Sequence, residues 1–401
     1  MPRLVSAFLV VLVSLLLYRV QPQLLHVPLD SLVNLGHETL DRLYSGQSPQ
    51  EVITTPSAAT GFTSHIVAVG DLHGDLPNAL RVLKMSGVID DAGNWSGDVD
   101  VLAQTGDIID RGDDTIALYE LMDKLREQAT AAGGVVLSVL GNHEWMNAIG
   151  DWRYVYPSEI ATFGGIEERQ ESLASGAIGR SWATNYTTAA RLPLHRVLGQ
   201  PNAPYDGTEQ TSVSHAALSF VHGGLSPTYE NLAPYPTKIN QVASSLLRKL
   251  QYRKQPPPHP PHPYPGLPAS TTMEEGKLYD ANGPLWYRGW ALESEQTVCD
   301  SVDSVLKKTG TRRMIMGHTP DFTGIVSRCN GKIIIIDTGI SHAYGGVLAA
   351  LSISYSLKPL GENLWEEKEL VKALYADQPA QIIVDEVKEL VADLKLPIEN
   401  L

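Results

Sequence analysis

An α/β layered fold is predicted for this 401-residue chain by three observations. Short apolar, β-branched runs recur along it, and segments with helically spaced apolar residues lie between several of them. The first six runs each lead into a short motif carrying Asp, Asn or His. Strand, loop, helix is therefore the dominant unit, and in such sheets the loops at strand ends gather the functional side chains. A sandwich of two sheets flanked by helices satisfies the same pattern.

The strand-like runs are His65 to Val69, Val99 to Gln104, Val135 to Leu140, Leu218 to Val221, Arg313 to Met316, Lys332 to Ile336 and Val347 to Ile353. Helical spacing is clearest over Leu76 to Met85, Thr115 to Ala131 and Gln296 to Lys308. A further helix is predicted over Leu29 to Leu43, followed by a polar Ser/Thr/Pro stretch that reads as a lead-in. Gln255 to Pro268 reads QPPPHPPHPYPGLP, too rich in proline for helix or interior strand, which predicts an extended, exposed insertion. No carboxylate accompanies its His259 and His262, so they are not read as a metal site. The C-terminal stretch, including Val384 to Leu394, predicts an amphipathic helix.

With 43% hydrophobic and 19% charged residues the composition is that of an ordinary globular protein. A formal charge of −14 opposes steering towards a polyanion, so no nucleic-acid partner is expected. Leu4 to Leu17 is an apolar run broken only by Ser6 and Ser14 and flanked by Arg3 and Arg19. It is short for a membrane span and suits a secretory signal. Tyr18-Arg19-Val20 offers no small-residue cleavage site, so a membrane anchor through residues 4–20 is the alternative. Two glycosylation acceptor patterns, Asn94-Trp95-Ser96 and Asn185-Tyr186-Thr187, agree with a secretory location, whether lumenal, anchored in the endoplasmic reticulum or Golgi, or secreted. Cys299 and Cys329 are the only cysteines, and both a disulfide and two free thiols remain open for them.

The motifs at the strand ends carry the chemistry. They are Gly70-Asp71-Leu72-His73-Gly74, Gly106-Asp107-Ile108-Ile109-Asp110-Arg111-Gly112, Gly141-Asn142-His143-Glu144, His222-Gly223-Gly224 and Gly317-His318-Thr319. Asp71 and His73 alternate after a strand, so one loop can turn both towards one cation. Asp107 can reach that ion and bridge to a second, whose ligands would be completed by Asn142, His222 and His318. Oxygen and imidazole donors without thiolate suit two divalent or mixed-valence ions of manganese, iron or zinc. A pair of this kind lowers the pKa of a shared water and places the hydroxide in line with the phosphorus of an ester. His143, beside Asn142, is the natural proton donor to the leaving oxygen, with Asp110 fixing its tautomer. Arg111 has the planar fork suited to phosphate oxygens, and Arg288, in Leu285-Trp286-Tyr287-Arg288-Gly289-Trp290, is a second candidate.

Over about residues 65–350 these motifs resemble the phosphoprotein phosphatase family of the calcineurin-like metallophosphoesterases. Met146-Asn147 and Gly150-Asp151-Trp152-Arg153-Tyr154-Val155, the LWYRGW segment and Asp337-Thr338-Gly339-Ile340-Ser341 are similar to the Shewanella-like branch. The resemblance implies a four-layer α/β/β/α sandwich of two mixed sheets and hydrolysis of phosphoserine, phosphothreonine or phosphotyrosine on protein or peptide substrates. It assigns Asp71, His73, Asp107, Asn142, His222 and His318 to the metals, His143 with Asp110 to the leaving group, and Arg111 and Arg288 to the phosphate. Asp75 and Leu140 depart from the common eukaryotic pattern, as does the lack of a SAPNYC-like segment, so side-chain preference stays open. The resulting plan is a signal or anchor over 1–20, a lead-in over 21–60, a catalytic domain over 61–365 and a helical tail over 366–401. A small-molecule phosphohydrolase, such as one splitting dinucleoside polyphosphates, and a non-catalytic secretory binding protein are the competing readings.

Overall fold

The computed structural model describes residues 61–208 and 213–394. The expectations for residues 1–20, the lead-in over 21–60 and its helix over Leu29 to Leu43 lie outside the described residues.

The chain runs β1 (Phe62–Val69), α1 (Leu76–Met85), β2 (Val101–Gln104), α2 (Thr115–Ala131), β3 (Val135–Val139) and α3 (Asn142–Ile149). Short helices follow, α4 (Pro157–Thr162), α5 (Ile166–Ala174) and α6 (Ala177–Asn185), and then β4 (Tyr186–Thr187), β5 (Ala189–Pro193) and β6 (Ala217–Val221). A helical region holds α7 (Thr237–Tyr252), α8 (Met273–Tyr279), α9 (Gly289–Leu292) and α10 (Glu295–Thr309). The last strands are β7 (Arg313–Met316), β8 (Val326–Arg328), β9 (Ile333–Ile335), β10 (Ala349–Gly361), β11 (Leu364–Tyr375) and β12 (Gln381–Val391).

Two mixed sheets result, ordered β12-β11-β10-β1-β2-β3-β4 and β5-β6-β7-β9-β8. In each, the central strands run parallel, β1 to β4 in one and β6, β7 and β9 in the other. The period-2 alternation of the strands builds the layers. Ile66, Ala68, Phe220, Ile315 and Ile334 point between the sheets. Their neighbours Val67, Val69, Val221, Met314, Met316 and Ile333 point outwards into a core shared with the helices. The four-layer sandwich expected from the resemblance is the architecture observed.

The C-terminal expectation is corrected. Residues 366–391 form most of β11 and all of β12, not a helical tail, and the 365/366 boundary cuts through β11. Ile382, Ile383, Val384 and Val387 are β-branched, and Gln381–Val391 pairs antiparallel with β11 almost end to end, burying Val384 and Leu390. Cross-strand pairing outweighs the helical spacing. Buried ion pairs then tie this hairpin to the other sheet, with Arg312 bonding Glu367 at 2.8 Å and Glu369 at 2.9 Å, and Arg313 bonding Glu369 at 2.8 Å.

The proline-rich segment is also less free than expected. His259 N–H donates to Gly150 O at 2.8 Å and Trp152 N–H donates to His259 O at 2.6 Å, so the segment pairs with the turn after α3. Cys299 and Cys329 form a disulfide joining α10 to the turn after β8. Closing this 30-residue separation restricts the unfolded chain. The double variant Cys299→Ser/Cys329→Ser is expected to lose about 3.5 kcal/mol of stability in denaturant unfolding.

Candidate metal centre and active site

The motifs lie at the C-terminal ends of β1, β2, β3, β6, β7 and β9, where parallel strands open into loops. The turns are tight enough to force non-glycine residues into left-handed backbone. His73, Asp107, Asp110, Arg111 and His318 have φ of 45°, 54°, 72°, 65° and 72°. Such strain persists only where the surroundings over-determine it, and it concentrates at functional sites. Two glycines show why the loops carry no side chain there. A Cβ on Gly141 would collide with the Asp107 carboxylate, and one on Gly317 would collide with that of Asp71.

Asp107 is the hub. Its Oδ2 lies 3.3 Å from His222 Nε2, 3.7 Å from His73 Nε2 and 3.8 Å from His143 Nε2. Its Oδ1 accepts from His143 N–H, in the first turn of α3, at 2.9 Å. Two overlapping donor clusters share it, His73–Asp107–His143 and Asp107–His222–His318, with ligand atoms within 4.8 Å of one another. Asp71 accepts from His318 N–H at 3.2 Å, beside Asp337. Burial, then the charges of Asp337 and Asp107, push the Asp71 carboxyl well up, and burial lifts Asp337 to about 6. Carboxylates crowded in this way call for positive charge among them.

The donors themselves fit cations. His318 Nε2 is buried without a hydrogen-bond partner. His222 Nδ1 is 2.8 Å from the carbonyl of Thr105, which can only accept, so Nδ1 is the donor and Nε2 is the nitrogen left to face a cation. That nitrogen faces Asn142 Oδ1, another acceptor, at 2.8 Å. Likewise His73 gives Nδ1–H to Ile109 O at 3.0 Å and turns its Nε2 to Asp107. Hydrogen bonds to backbone carbonyls select the tautomer that turns Nε2 towards the centre, the usual support for a ligating imidazole, and the Tyr344 hydroxyl lies 3.5 Å from His73 Nε2. Burial, with the nearby His143, lowers His73 to about 3, and burial with His222 and Arg288 holds His318 well below its ordinary value.

His143 behaves differently. Burial alone would lower it, but Asp107 and a 2.7 Å hydrogen bond to Asp110 Oδ2 raise it, so it favours the proton-carrying form. Arg111 lies between two tyrosine faces, its Cζ 4.3 Å from the Tyr154 centroid and 4.9 Å from that of Tyr344, with its Nε unpartnered. Arg288 donates to His318 O at 2.7 Å and to Thr319 Oγ1 at 3.0 Å, beside the same centre. All ten residues singled out from sequence thus meet in one place.

Glu144, Asn147, Tyr154, Arg169 and Tyr344 were given no role from sequence. Glu144 accepts from Asp107 N–H, Ile108 N–H, Gly141 N–H and Tyr119 O–H at 2.7–3.0 Å, binding the β2 and β3 loops together. An acid at the third position of a helix that starts on Gly-Asn is a capping signal that could have flagged it. Tyr344 packs on His73 at 5.3 Å, and its loop is pinned by His342 bonding Asp75 at 2.7 Å. Phe322, half-exposed, stacks on Tyr344 at 6.0 Å.

Residues 64–322 match the calcineurin-like phosphoesterase family. An uncharacterized protein of Schizosaccharomyces pombe is 37% identical over 72% of this chain and 77% of its own length. Shewanella-like protein phosphatase 2 of Arabidopsis thaliana is 29% identical over 69% of this chain and 71% of its own. The crystal structure of a cold-active protein tyrosine phosphatase from a psychrophilic Shewanella species has the same fold, with a TM-score of 0.55 over 80% of both chains at 20% identity. The family match spans most of the chain and contains the strand-end loops from Asp71 to His318, and the chain belongs to the calcineurin-like phosphoesterase family.

Proposed function

We propose that this phosphoesterase is a metal-dependent protein phosphatase acting on phosphoserine, phosphothreonine or phosphotyrosine. The observation that carries the reading is that the buried Asp107 Oδ2 stands between His73 Nε2 and His222 Nε2, the latter in a donor cluster with the unpartnered His318 Nε2. Asp71, His73, Asp107, Asn142, His222 and His318 would hold two ions, and their oxygen and imidazole donors suit manganese, iron or zinc. When bound, such ions supply a water of lowered pKa and neutralise charge building on the phosphoryl oxygens.

The protein's own groups do the rest. Arg111, flat between its tyrosines, and Arg288 offer guanidinium donors to the phosphate. His143, its Nδ1–H held by Asp110, gives its Nε2 proton to the leaving oxygen. The half-exposed Phe322 on Tyr344 makes an aromatic ledge beside His73, which suits an aryl leaving group and favours phosphotyrosine among the three. The relatives named protein phosphatases support protein substrates.

One purified sample assayed on phosphotyrosine and phosphoserine peptides and on diadenosine tetraphosphate, before and after chelation, tests this. Faster hydrolysis of a phosphopeptide, lost on chelation and restored by Mn²⁺, is expected. Faster cleavage of the dinucleotide would instead support a small-molecule hydrolase. Chelator-insensitive protein without bound transition metal would support a binding role.

A secretory location belongs to the same proposal. It is supported by the apolar run from Leu4 to Leu17 and by the Cys299–Cys329 disulfide, since such bonds persist in oxidising compartments. Among the described residues no helix is long and apolar enough to cross a membrane. The proposed anchoring is assigned to residues 4–20, which lie outside the described residues.

A further inference from the structure

Behind His143 runs a chain of buried polar side chains, none of them assigned to the metals. Asp110 Oδ2 accepts from His143 Nδ1–H at 2.7 Å, while its Oδ1 accepts from Asn147 Nδ2 at 2.8 Å. The Asn147 amide is fixed at both ends, because Nδ2 also donates to His143 O at 2.9 Å and Oδ1 accepts from Arg169 Nη1 at 2.7 Å. Arg169, on α5, is wholly buried. Its Nη2 reaches Glu159 Oε1 at 3.1 Å and Asp110 Oδ1 at 3.5 Å, and its Cζ sits 4.4 Å over the Trp152 ring. Thr115 Oγ1 donates to the same Glu159 oxygen at 2.7 Å.

A buried guanidinium is a poor way to gain stability, since a well-packed apolar group of the same volume does as well or better. What it supplies here is direction. The planar fork can address Asn147 and Glu159 at once only in one orientation, that orientation decides which way the Asn147 amide points, and the amide decides which Asp110 oxygen is left for His143.

We propose that Arg169, acting through Asn147 and Asp110, is the positioning residue that aims the His143 Nε2 proton at the leaving oxygen. The proposal rests on the reading of His143 as proton donor given above. In that step a water oxygen forms a new bond to phosphorus while the P–O bond to the leaving group breaks, its electron pair staying on the leaving oxygen. The Nε2–H bond breaks, its proton neutralises that oxygen, and solvent later restores the proton to the imidazole. Misaiming by a fraction of an ångström matters only when the leaving group needs the proton. Nitrophenolates leave without help, whereas phenolates and alkoxides do not.

The test compares Arg169→Met, the charge-balanced Arg169→Met/Glu159→Gln and His143→Asn with the parent, on 2,4-dinitrophenyl phosphate and on phenyl phosphate. Metal content and thermal unfolding are recorded alongside. Arg169→Met is expected to lower kcat about 10²-fold on phenyl phosphate, to change it little on the dinitrophenyl ester, and to leave KM and metal content as in the parent. The double variant, which leaves no unpaired carboxylate, is expected to do the same. Equal loss on both substrates in a folded, metal-replete double variant would make Arg169 merely structural. No loss on either, with His143→Asn still selective for the poor leaving group, would also overturn the positioning role while sparing the proton donor. If His143→Asn itself showed no selectivity, the proton-donor reading would fall first.

Discussion

Asp107→Asn is expected to remove both ions and to lower kcat/KM by about 10³-fold or more. The substitution is isosteric, so the loss would be electrostatic. Asp107 Oδ1 is committed to His143 N–H at 2.9 Å, so an asparagine would keep its carbonyl there and turn its NH₂ towards the three imidazoles that now face Oδ2. Donors would then meet the Nε2 atoms of His73 and His222, and the cage would close on itself. Metal analysis beside turnover checks this. Parent-like metal content with lost activity would show that Asp107 acts on substrate and not as the bridge.

Glu144→Ala is expected to cost about 4 kcal/mol of stability and most of the activity, although Glu144 touches no reacting group. Three backbone N–H groups and the Tyr119 hydroxyl would lose their acceptor in a buried region. Asp107 and Gly141, which carry the carboxylate shared by the two donor clusters and the start of α3, are among the donors released. Glu144→Gln should fare little better, because its amide NH₂ must face N–H donors where an acceptor is required. Denaturant unfolding with a matched metal measurement is the check, and a stable Glu144→Ala protein with both ions bound would contradict it.

The parts of this molecule readable in its sequence are those with a strong local period. Leu76–Met85 and Thr115–Ala131 were bounded correctly, α10 to within a residue at each end, and each predicted strand overlaps an observed one. The site residues were readable because each motif sits where an apolar run stops, and a strand that stops at a parallel sheet edge aims its loop at the common cleft. Helix α7 was missed although Ile239, Val242, Ala243, Leu246 and Leu250 trace one buried face. In β12 the local pattern misled, because pairing with β11 exists only in three dimensions. Arg169 and Glu159 stand in segments to which the sequence assigns no element, and nothing local distinguishes a buried ion pair from a surface one. The proline-rich insertion looked unpaired because proline lacks N–H, yet the N–H and carbonyl of His259, with the Pro256 and Gly266 carbonyls, dock it.

Anomalous diffraction from crystals of the purified protein, collected above and below the absorption edges of manganese, iron and zinc, addresses the paired-ion site directly. Two peaks about 3.5–4 Å apart on either side of Asp107 Oδ2 are predicted, one towards Asp71 and His73 and the other towards Asn142, His222 and His318. A single peak, or peaks away from Asp107, would contradict it.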